Sequence, residues 1–522
     1  MADRAQPLAA AGRAGITAAA AVPALIVTTG AAVFITAGSG QGLSAADWAA
    51  IRFTLLQAVL SSLLSVLLAM PLARALSRRS FPGRRLVIAL LGAPFLLPVI
   101  VAIFGLLAVF GRNGLVNTAL EAVGLPGISV YGLHGVVLAH VFFNLPLASR
   151  LLLQGWLEIP AERFRLAASL GMSAAAVQRH LEVPMLMRAI PGALLLIFVI
   201  CTTSFAVALI LGGGPRATTV ELAIYQALRF EFDLPRAAVM SAIQLVLTGL
   251  AAIAALRLVA APRFGSGLDR VTLRRDADHP LLRATDMAVI TLAAIFLLTP
   301  LFAVSAAGIP RLVSLPQPVL TAAFVSLFIA LASALTVVSA GTLMSVAASR
   351  LGQRGWAIEG AGLFAIAASP LVIGTGLFLI INPWLDPSRL ALPVTVLVNS
   401  MMTLPFALRI LIPAVETIEA EYGRLADSLG ITGLARFRLL LIPRLRRPLG
   451  FSAGIAAALS IGDLGVIALF ADPETATLPL QIYRLMGAYR MDEAAGGASL
   501  LMLLGFSLFW IFDRGGRADA GA

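Results

Sequence analysis

The chain of 522 residues is 59% hydrophobic and only 12% charged, with a mean hydropathy of +0.95 and a formal net charge of +12; this excludes a string of soluble domains and describes a polytopic membrane protein. Its 38 basic residues are all arginines, and without lysine neither a P-loop nor a Schiff base can form. The one cysteine, Cys201, lies in an apolar run, which excludes an intrachain disulfide and a thiolate metal cluster.

A helix crosses the hydrocarbon core with about 20 apolar residues. Twelve segments meet that requirement: 18–37, 53–73, 86–110, 132–149, 191–211, 237–256, 287–308, 322–348, 361–381, 391–408, 448–470 and 494–512. The first follows Arg4 and Arg13 in the manner of a signal peptide and is expected to stay as an uncleaved anchor. The fourth and tenth are short and contain Pro146 and Pro405, which neighbouring helices and water can accommodate. With the N-terminus inside, roughly three quarters of the arginines fall in inner segments, so the positive-inside rule predicts two cytoplasmic termini. The basic excess is then topological. Trp48, Trp156, Trp356, Trp384 and Trp510 fall near span ends, where interfacial anchors are expected.

Two inner loops repeat each other. Ile159 to Pro184 (IPAERFRLAASLGMSAAAVQRHLEVP) and Ile418 to Pro443 (IEAEYGRLADSLGITGLARFRLLLIP) share R-L-A-x-S-L-G followed by a proline, and Arg165/Arg424, Gly171/Gly430 and Pro184/Pro443 are each 259 residues apart. FFNLPLASRLL at Phe142 repeats as MMTLPFALRIL at Met401 with the same offset; FLLPVIVAIFGLLAV at Phe95 resembles ASPLVIGTGLFLII at Ala368, and ELAIYQALRFEFD at Glu221 echoes PLQIYRLMGAYRMD at Pro479. The expected fold class is an all-α polytopic membrane protein of two tandem six-helix halves, 1–262 and 286–522, joined by a cytoplasmic Arg-rich linker at 263–285. Parallel halves imply a pseudo-two-fold axis along the membrane normal.

In each loop a glycine separates two short helical stretches, because it permits the positive φ that ends one helix and turns into the next. ERFRLAASL places Phe164, Ala167, Ala168 and Gly171 on nearby turns, a small-residue face suited to close docking; Pro184 and Pro443 reset the chain close to a helix start. Two readings stand: amphipathic helices on the inner leaflet, or handles for a symmetric protein partner. Duplication at constant spacing, with Ala and Gly in place of large apolar residues, favours the partner.

The loops resemble the Glu-Ala-Ala loop of binding-protein-dependent ABC importer permeases, E-A-A-x-x-x-G-x9-I-x-L-P. Ala167, Gly171, Leu181, Val183 and Pro184 match, as do Ala426, Gly430, Leu440, Ile442 and Pro443; Arg165 and Arg424 stand where the family has its Glu, and Leu166 and Leu425 occupy the next position. The resemblance implies the type I importer fold, with loops 158–184 and 417–443 inserted into grooves of a separate ATPase subunit. Two fused copies would serve one ATPase homodimer, which binds the ATP and Mg; this chain would carry no cofactor and hydrolyse nothing. Longer strings, GGGPRATTVELAIYQALRFEFD from Gly212, SIGDLGVIALF from Ser460, AHVFFNLPLASRLLLQ from Ala139 and FPGRRL from Phe81, are similar to permeases of thiamine and thiamine-diphosphate importers. That implies a bacterial inner-membrane location, a periplasmic thiamine-binding protein as the second partner, and thiamine or its phosphates as cargo.

Asp463 lies within an apolar segment opposite Ser204 in the repeat, 259 residues away. A lone carboxylate in hydrocarbon costs about 3 kcal/mol on insertion scales, so it either lines the path of a cationic substrate or caps a helix break between Gly462 and Gly465. His134 and His140 lack carboxylate or thiolate neighbours at ligand spacing and are expected inside the bundle. Asn144, with Phe142 and Phe143, either packs or contacts an aromatic ligand, and Tyr225 and Tyr483 are expected in outer loops as interface anchors or contacts for a binding protein. The metal expectation is none. Within the importer class, ferric iron is the rival substrate. Outside it stands a twelve-span secondary transporter, whose basic inner loop ALSRRSFPGRR resembles superficially but without its Asp. A membrane enzyme is disfavoured because no loop gathers His, Asp and Glu together.

Overall fold

A computed structural model of the chain describes residues 10–38, 42–92, 97–214, 217–258, 279–472 and 475–517. Most of the Arg-rich linker expected at 263–285 lies outside them. Among the described residues every regular element is helical, as lipid demands, since a helix satisfies its own N–H and C=O groups where no water can.

The N-terminal part comprises α1 (Ala10–Ala37), α2 (Ala45–Arg78), α3 (Arg84–Leu90), α4 (Val99–Phe110), α5 (Leu115–Ala122), α6 (Leu133–Glu158), α7 (Ala161–Ser169), α8 (Val183–Thr202), α9 (Phe205–Leu211), α10 (Val220–Gln226) and α11 (Leu234–Leu258). The C-terminal part comprises α12 (Pro280–Gly308), α13 (Gln317–Leu351), α14 (Trp356–Leu363), α15 (Pro370–Ile381), α16 (Ala391–Ser428), α17 (Ile442–Ile461), α18 (Gly465–Phe470), α19 (Leu478–Gly487) and α20 (Met491–Arg517). The chain is a multi-pass membrane protein: among the described residues 11 helical stretches are long and apolar enough to span, and Pro370–Ile381 is a shorter apolar helix.

The span boundaries need correction in four places. The third expected span is split into α3 and α4, and the ninth into α14 and α15. Hydropathy is blind to these breaks, but proline is not: Pro98 and Pro370 open the second pieces, and Ser369, before Pro370, is held extended at φ −70°, ψ 139°. The fifth span breaks at Thr203–Ser204 and the eleventh at Gly462–Leu464. By contrast, the short fourth and tenth segments belong to long continuous helices that pass through Pro146, Pro405 and Pro413.

The first helix of each part crosses to the other. α1 packs on α13 and α15 as well as on α11, while α12 packs on α2 and α4 as well as on α20. Each crossing uses a glycine to bring two backbones together. A Cβ on Gly376 of α15 would sit 2.6 Å from the Thr29 carbonyl oxygen of α1, and one on Gly105 of α4 would sit 2.5 Å from that of Pro300 in α12. Gly105/Gly376 and Thr29/Pro300 are both 271 residues apart, so the two contacts repeat each other. At the loop-side end of the seam, Asp286 of α12 accepts from Arg78 at 2.7 and 2.9 Å and from Arg79 at 2.6 Å. Asp286 is 6% exposed and Arg78 8%. Removing one member of such a buried cluster leaves uncompensated charge, which costs about 3–5 kcal/mol.

Candidate functional site: two loops and a seam

Between the two repeated loops the described residues hold five helices long enough to span and the shorter apolar helix Pro370–Ile381. In the first, α7 ends where Gly171 takes φ +63°; the Met172 N–H reaches back to the Ala167 carbonyl at 3.0 Å and the Gly171 N–H to Ala168 at 3.2 Å. In the second, α16 ends where Gly430 takes φ +67°, with Ile431 bonded to Ala426 at 2.9 Å and Gly430 to Asp427 at 3.1 Å. These are paired Schellman caps. After each glycine the same sequence of elements follows at an offset of 259: a single α-turn (Ala174–Val177, Gly433–Arg436), a π-turn (Gln178–Glu182, Phe437–Leu441), then α8 or α17. Pro184 and Pro443 are the second residues of α8 and α17 and follow directly on the π-turns, where the i→i−4 ladder is already interrupted.

The copies differ in what precedes the cap and what braces it. Pro160 separates α6 from α7, whereas α16 runs unbroken for 38 residues from the membrane into the loop, so the expected first short stretch of the second loop is the end of a long helix. Glu182 in the first loop is 1% exposed; it holds Arg74 of α2 at 2.8 Å and accepts the Trp156 indole N–H at 3.3 Å. Trp156 is therefore a buried brace and not an interfacial anchor, while Trp48, Trp356, Trp384 and Trp510 are exposed. In the second loop Arg436 is the brace, paired with Glu419 on one side and Asp427 on the other.

Of the loop residues singled out in the sequence, Ala167 and Ala426 face inward at 4% exposure, with Phe164 and Gly423 beside them. Arg165, Arg424, Gly171, Gly430, Pro184 and Pro443 are exposed, as are Leu166, Leu170, Leu425 and Leu429. Of the expected small-residue face, Phe164 and Ala167 pack on the protein's own chain while Ala168 and Gly171 stay exposed, and each loop offers outward two leucines one turn apart beside an arginine. The short ion pair of Arg165 with Glu162, 3.3 Å on an exposed surface, adds little.

Each of α8 and α17 carries this face to a break in the bundle. Ser204 precedes α9 without a side-chain cap bond. Asp463, half-buried, occupies the matching break before α18, and its Oδ1 accepts the Gly465 N–H at 3.2 Å. A Cβ on Gly465 would lie 3.9 Å from Phe205, and one on Gly462 2.9 Å from Pro98, so the breaks meet at the seam between the two parts. Behind them, polar side chains repeat. Asn144 donates to the His140 carbonyl at 2.8 Å and to the Cys201 sulfur at 3.4 Å, and His140 Nδ1 lies 3.2 Å from Ser61 Oγ. In the second copy Asn399 donates to Ser460 Oγ at 3.0 Å, which donates to Ser333 Oγ at 3.0 Å. Asn144 is thus an internal brace of the first copy, 2% exposed. His140 is interior as expected; His134 is not, being exposed at the start of α6 with its Nε2 against the Ser129 carbonyl.

Sequence reasoning missed Glu221. It is 1% exposed on α10, accepts Gln244 Nε2 at 3.0 Å, and receives the Ser369 hydroxyl from the other side of the seam. The available signal was an acidic residue heading an otherwise apolar helix. Tyr225 and Tyr483 are not on loops: they sit on α10 and α19 and line one cavity together.

Helices broken in pairs at a seam and two identically capped loops fit the membrane subunit of an ABC importer, a subunit that hydrolyses nothing itself. No family model matches the chain. It is 41% identical over 479 residues to the thiamine transport system permease protein ThiP of Salmonella typhimurium, covering 90% of this chain and 89% of that one. To the Brucella suis protein of the same description it is 38% identical over 498 residues (92% and 91%), and to that of Haemophilus influenzae 34% over 470 (88% and 87%). The chain belongs to the family of thiamine transport system permease proteins.

Proposed function

We propose that this chain is the permease of an ATP-driven importer that takes thiamine and its phosphates from a periplasmic binding protein into the bacterial cytoplasm. The observation that carries the mechanism is the pair of identically capped loops, 259 residues apart. Residues 1–262 and 286–522 act as two six-helix halves of the type I importer fold, joined by the linker at 263–285, with both termini and both loops cytoplasmic. The Arg distribution and the register of the repeated elements support that arrangement. Loops 158–184 and 417–443 dock into the two grooves of a homodimeric ATPase. Leu166, Leu170, Leu425 and Leu429 supply apolar contact, Arg165 and Arg424 polar contact, and Ala167 and Ala426 hold each loop on its own half.

The local physics then runs upward. A Schellman cap fixes the angle between the docked helix and the next turn, and the braces at Glu182 and Arg436 tie that turn to the bundle. When the ATPase dimer closes, the paired loops move with it, and α8 and α17 carry the motion to the breaks at Ser204 and Asp463. Those breaks line the path at the seam, with Asn144 bracing the first of them through Cys201. Such a shift requires contacts that differ between the two states; the Asp286 clamp and the Glu221–Ser369 bond are the seam contacts available to change.

The test is uptake of labelled thiamine into proteoliposomes. Uptake that needs this chain, the ATPase, the binding protein and ATP together supports the proposal. Transport by this chain alone, driven by an ion gradient, would establish a secondary transporter instead, and ATP-dependent uptake of ferric iron without thiamine would replace the cargo.

A further inference from the structure

Among the described residues two non-glycine side chains stand on left-handed backbone: Phe232 at φ +52° and Tyr489 at φ +59°. Both are aromatic, and both are exposed, by 63% and 90%. They lie 257 residues apart, each closing the repeated stretch that α10 or α19 begins. Each turn ends a helix. The Tyr489 N–H bonds to the Met486 carbonyl at 3.1 Å and the Arg490 N–H to Leu485 at 2.9 Å, while the Asp233 N–H reaches back to Ala227 at 2.9 Å. Glycine is the usual residue at such a cap, and Gly171 and Gly430 fill that place in the loops. A side chain there brings its Cβ against the following carbonyl oxygen, and for a bulky residue this is a true outlier. The fold therefore carries strain at two matching places for the sake of an outward ring.

Charged neighbours hold both turns in place. Arg236 donates to Asp47 of α2 at 2.9 and 3.0 Å and pairs with Glu231, and its backbone N–H donates to Asp233 Oδ1 at 2.9 Å. Beside Tyr489, Arg490 donates to Glu493 Oε1 at 2.9 Å, and Arg311 pairs with Asp492 at 3.1 Å. Strained backbone persists where its surroundings over-determine it, and it clusters at sites that bind. These same charges set each ring among water-facing groups. An interfacial lipid anchor needs no such turn, because an aromatic on any ordinary helical position supplies it. A large aromatic ringed by polar groups is the pattern of an anchor between two proteins.

We propose that Phe232 and Tyr489 are the two anchors on which the periplasmic binding protein docks, one from each copy of the repeat. One spanning stretch separates each ring from its loop, Ala174–Thr202 in the first copy and Gly433–Phe470 in the second, so with the loops cytoplasmic both rings stand on the periplasmic side. The anchors rest on the importer reading above and deepen it by assigning two residues to the partner's footprint. Each ring enters an apolar pocket of the partner, and the charged groups around it close the rim against water. The left-handed turn fixes where each ring points before docking, so little freedom is lost on binding.

Glycine separates docking from folding here, because it takes the left-handed turn freely and removes the ring. Phe232→Gly and Tyr489→Gly should each leave the Tm of the detergent-solubilised protein equal to or above that of the wild type. Each should nevertheless weaken binding of the thiamine-loaded binding protein to the importer in nanodiscs by about 30-fold or more, the threshold of a hot spot. Phe232→Tyr and Tyr489→Phe keep a ring and should bind within about threefold of the wild type. Unchanged binding in the glycine variants overturns the anchors, and so does a Tm that falls in step with binding, which would make the rings structural. In a Cys201→Ser background, a fluorophore attached through Tyr489→Cys should be open to a water-soluble quencher until the binding protein is added. Quenching by acyl-brominated lipids would instead place that ring in the bilayer and overturn the docking. A wild-type importer that no thiamine-loaded binding protein engages overturns the importer reading and the anchors together; engagement that survives both glycine substitutions overturns the anchors alone.

Discussion

Replacing Gly171 and Gly430 together separates a backbone requirement from a packing one. Both glycines hold φ near +65°, at +63° and +67°, and a Cβ on either would meet nothing within 4 Å. A substitution therefore clashes with no other part of this chain. Its cost is the left-handed backbone itself, about 1–2 kcal/mol for an ordinary L-residue at each site. The sites share no partner, so the costs add, and about 2–4 kcal/mol across both loops lowers the equilibrium constant for forming both caps by roughly 30- to 1000-fold. Asn visits this region several-fold more often than other non-glycine residues, so the expected order of function is Gly, then Asn, then Ala, then Val. The assay is the ratio of thiamine taken up to ATP hydrolysed, in proteoliposomes with ATPase and binding protein. The Val double variant should insert normally and hydrolyse ATP with little uptake, while the Asn double variant keeps much of the coupling. Full coupling in the Val variant, or an Asn variant as inactive as Val, would refute the reasoning.

Three further perturbations test other joints. Asp286→Ala strips the carboxylate from Arg78 and Arg79 at the seam and should destabilise the detergent-solubilised protein by about 3–5 kcal/mol, seen as a lower Tm by size-exclusion after heating; an unchanged Tm would show that the clamp contributes nothing. Gly376→Leu forces a side chain into the Thr29 backbone and should release α1 from α15, so that added protease cuts α1 faster than in the wild type; Gly249→Leu, at a position with nothing within 4 Å, should leave that rate unchanged. Asp463→Asn keeps an oxygen to accept the Gly465 N–H, whereas Asp463→Ala loses the cap, worth about 0.5–2 kcal/mol. If the carboxylate charge guides the cation, Asn and Ala will both lower uptake; if capping is its whole role, only Ala will.

How much of this was legible in the sequence follows from what each feature depends on. The caps of the loops were legible to the residue, because a Schellman cap is local: Gly171 and Gly430 need only their own φ, whereas the long helix that runs into the second loop was not. The membrane character was equally plain, since spanning is a property of composition. The breaks before α4 and α15 were hidden inside apolar runs, although Pro98 and Pro370 marked them. What could not be seen is whatever depends on a partner distant in the chain. Asp286 lies 208 residues from Arg78, and nothing in its neighbourhood announces that pairing. Trp156 sat at a span end like the other tryptophans and turned inward because Glu182 waits there. The crossing of α1 and α12 left a trace, Gly105 and Gly376 at a constant offset from Thr29 and Pro300, which becomes readable only once the contacts are known.

The central claim is that the two loops are moved together by an ATPase outside this chain. The only cysteine, Cys201, is buried, so in a Cys201→Ser background spin labels attached through Leu170→Cys and Leu429→Cys report the distance between the loop tips. With the ATPase present, trapping with ATP and vanadate should shorten that distance, and the same nucleotide without the ATPase should leave it unchanged. A distance that stays the same when the ATPase closes would contradict the account.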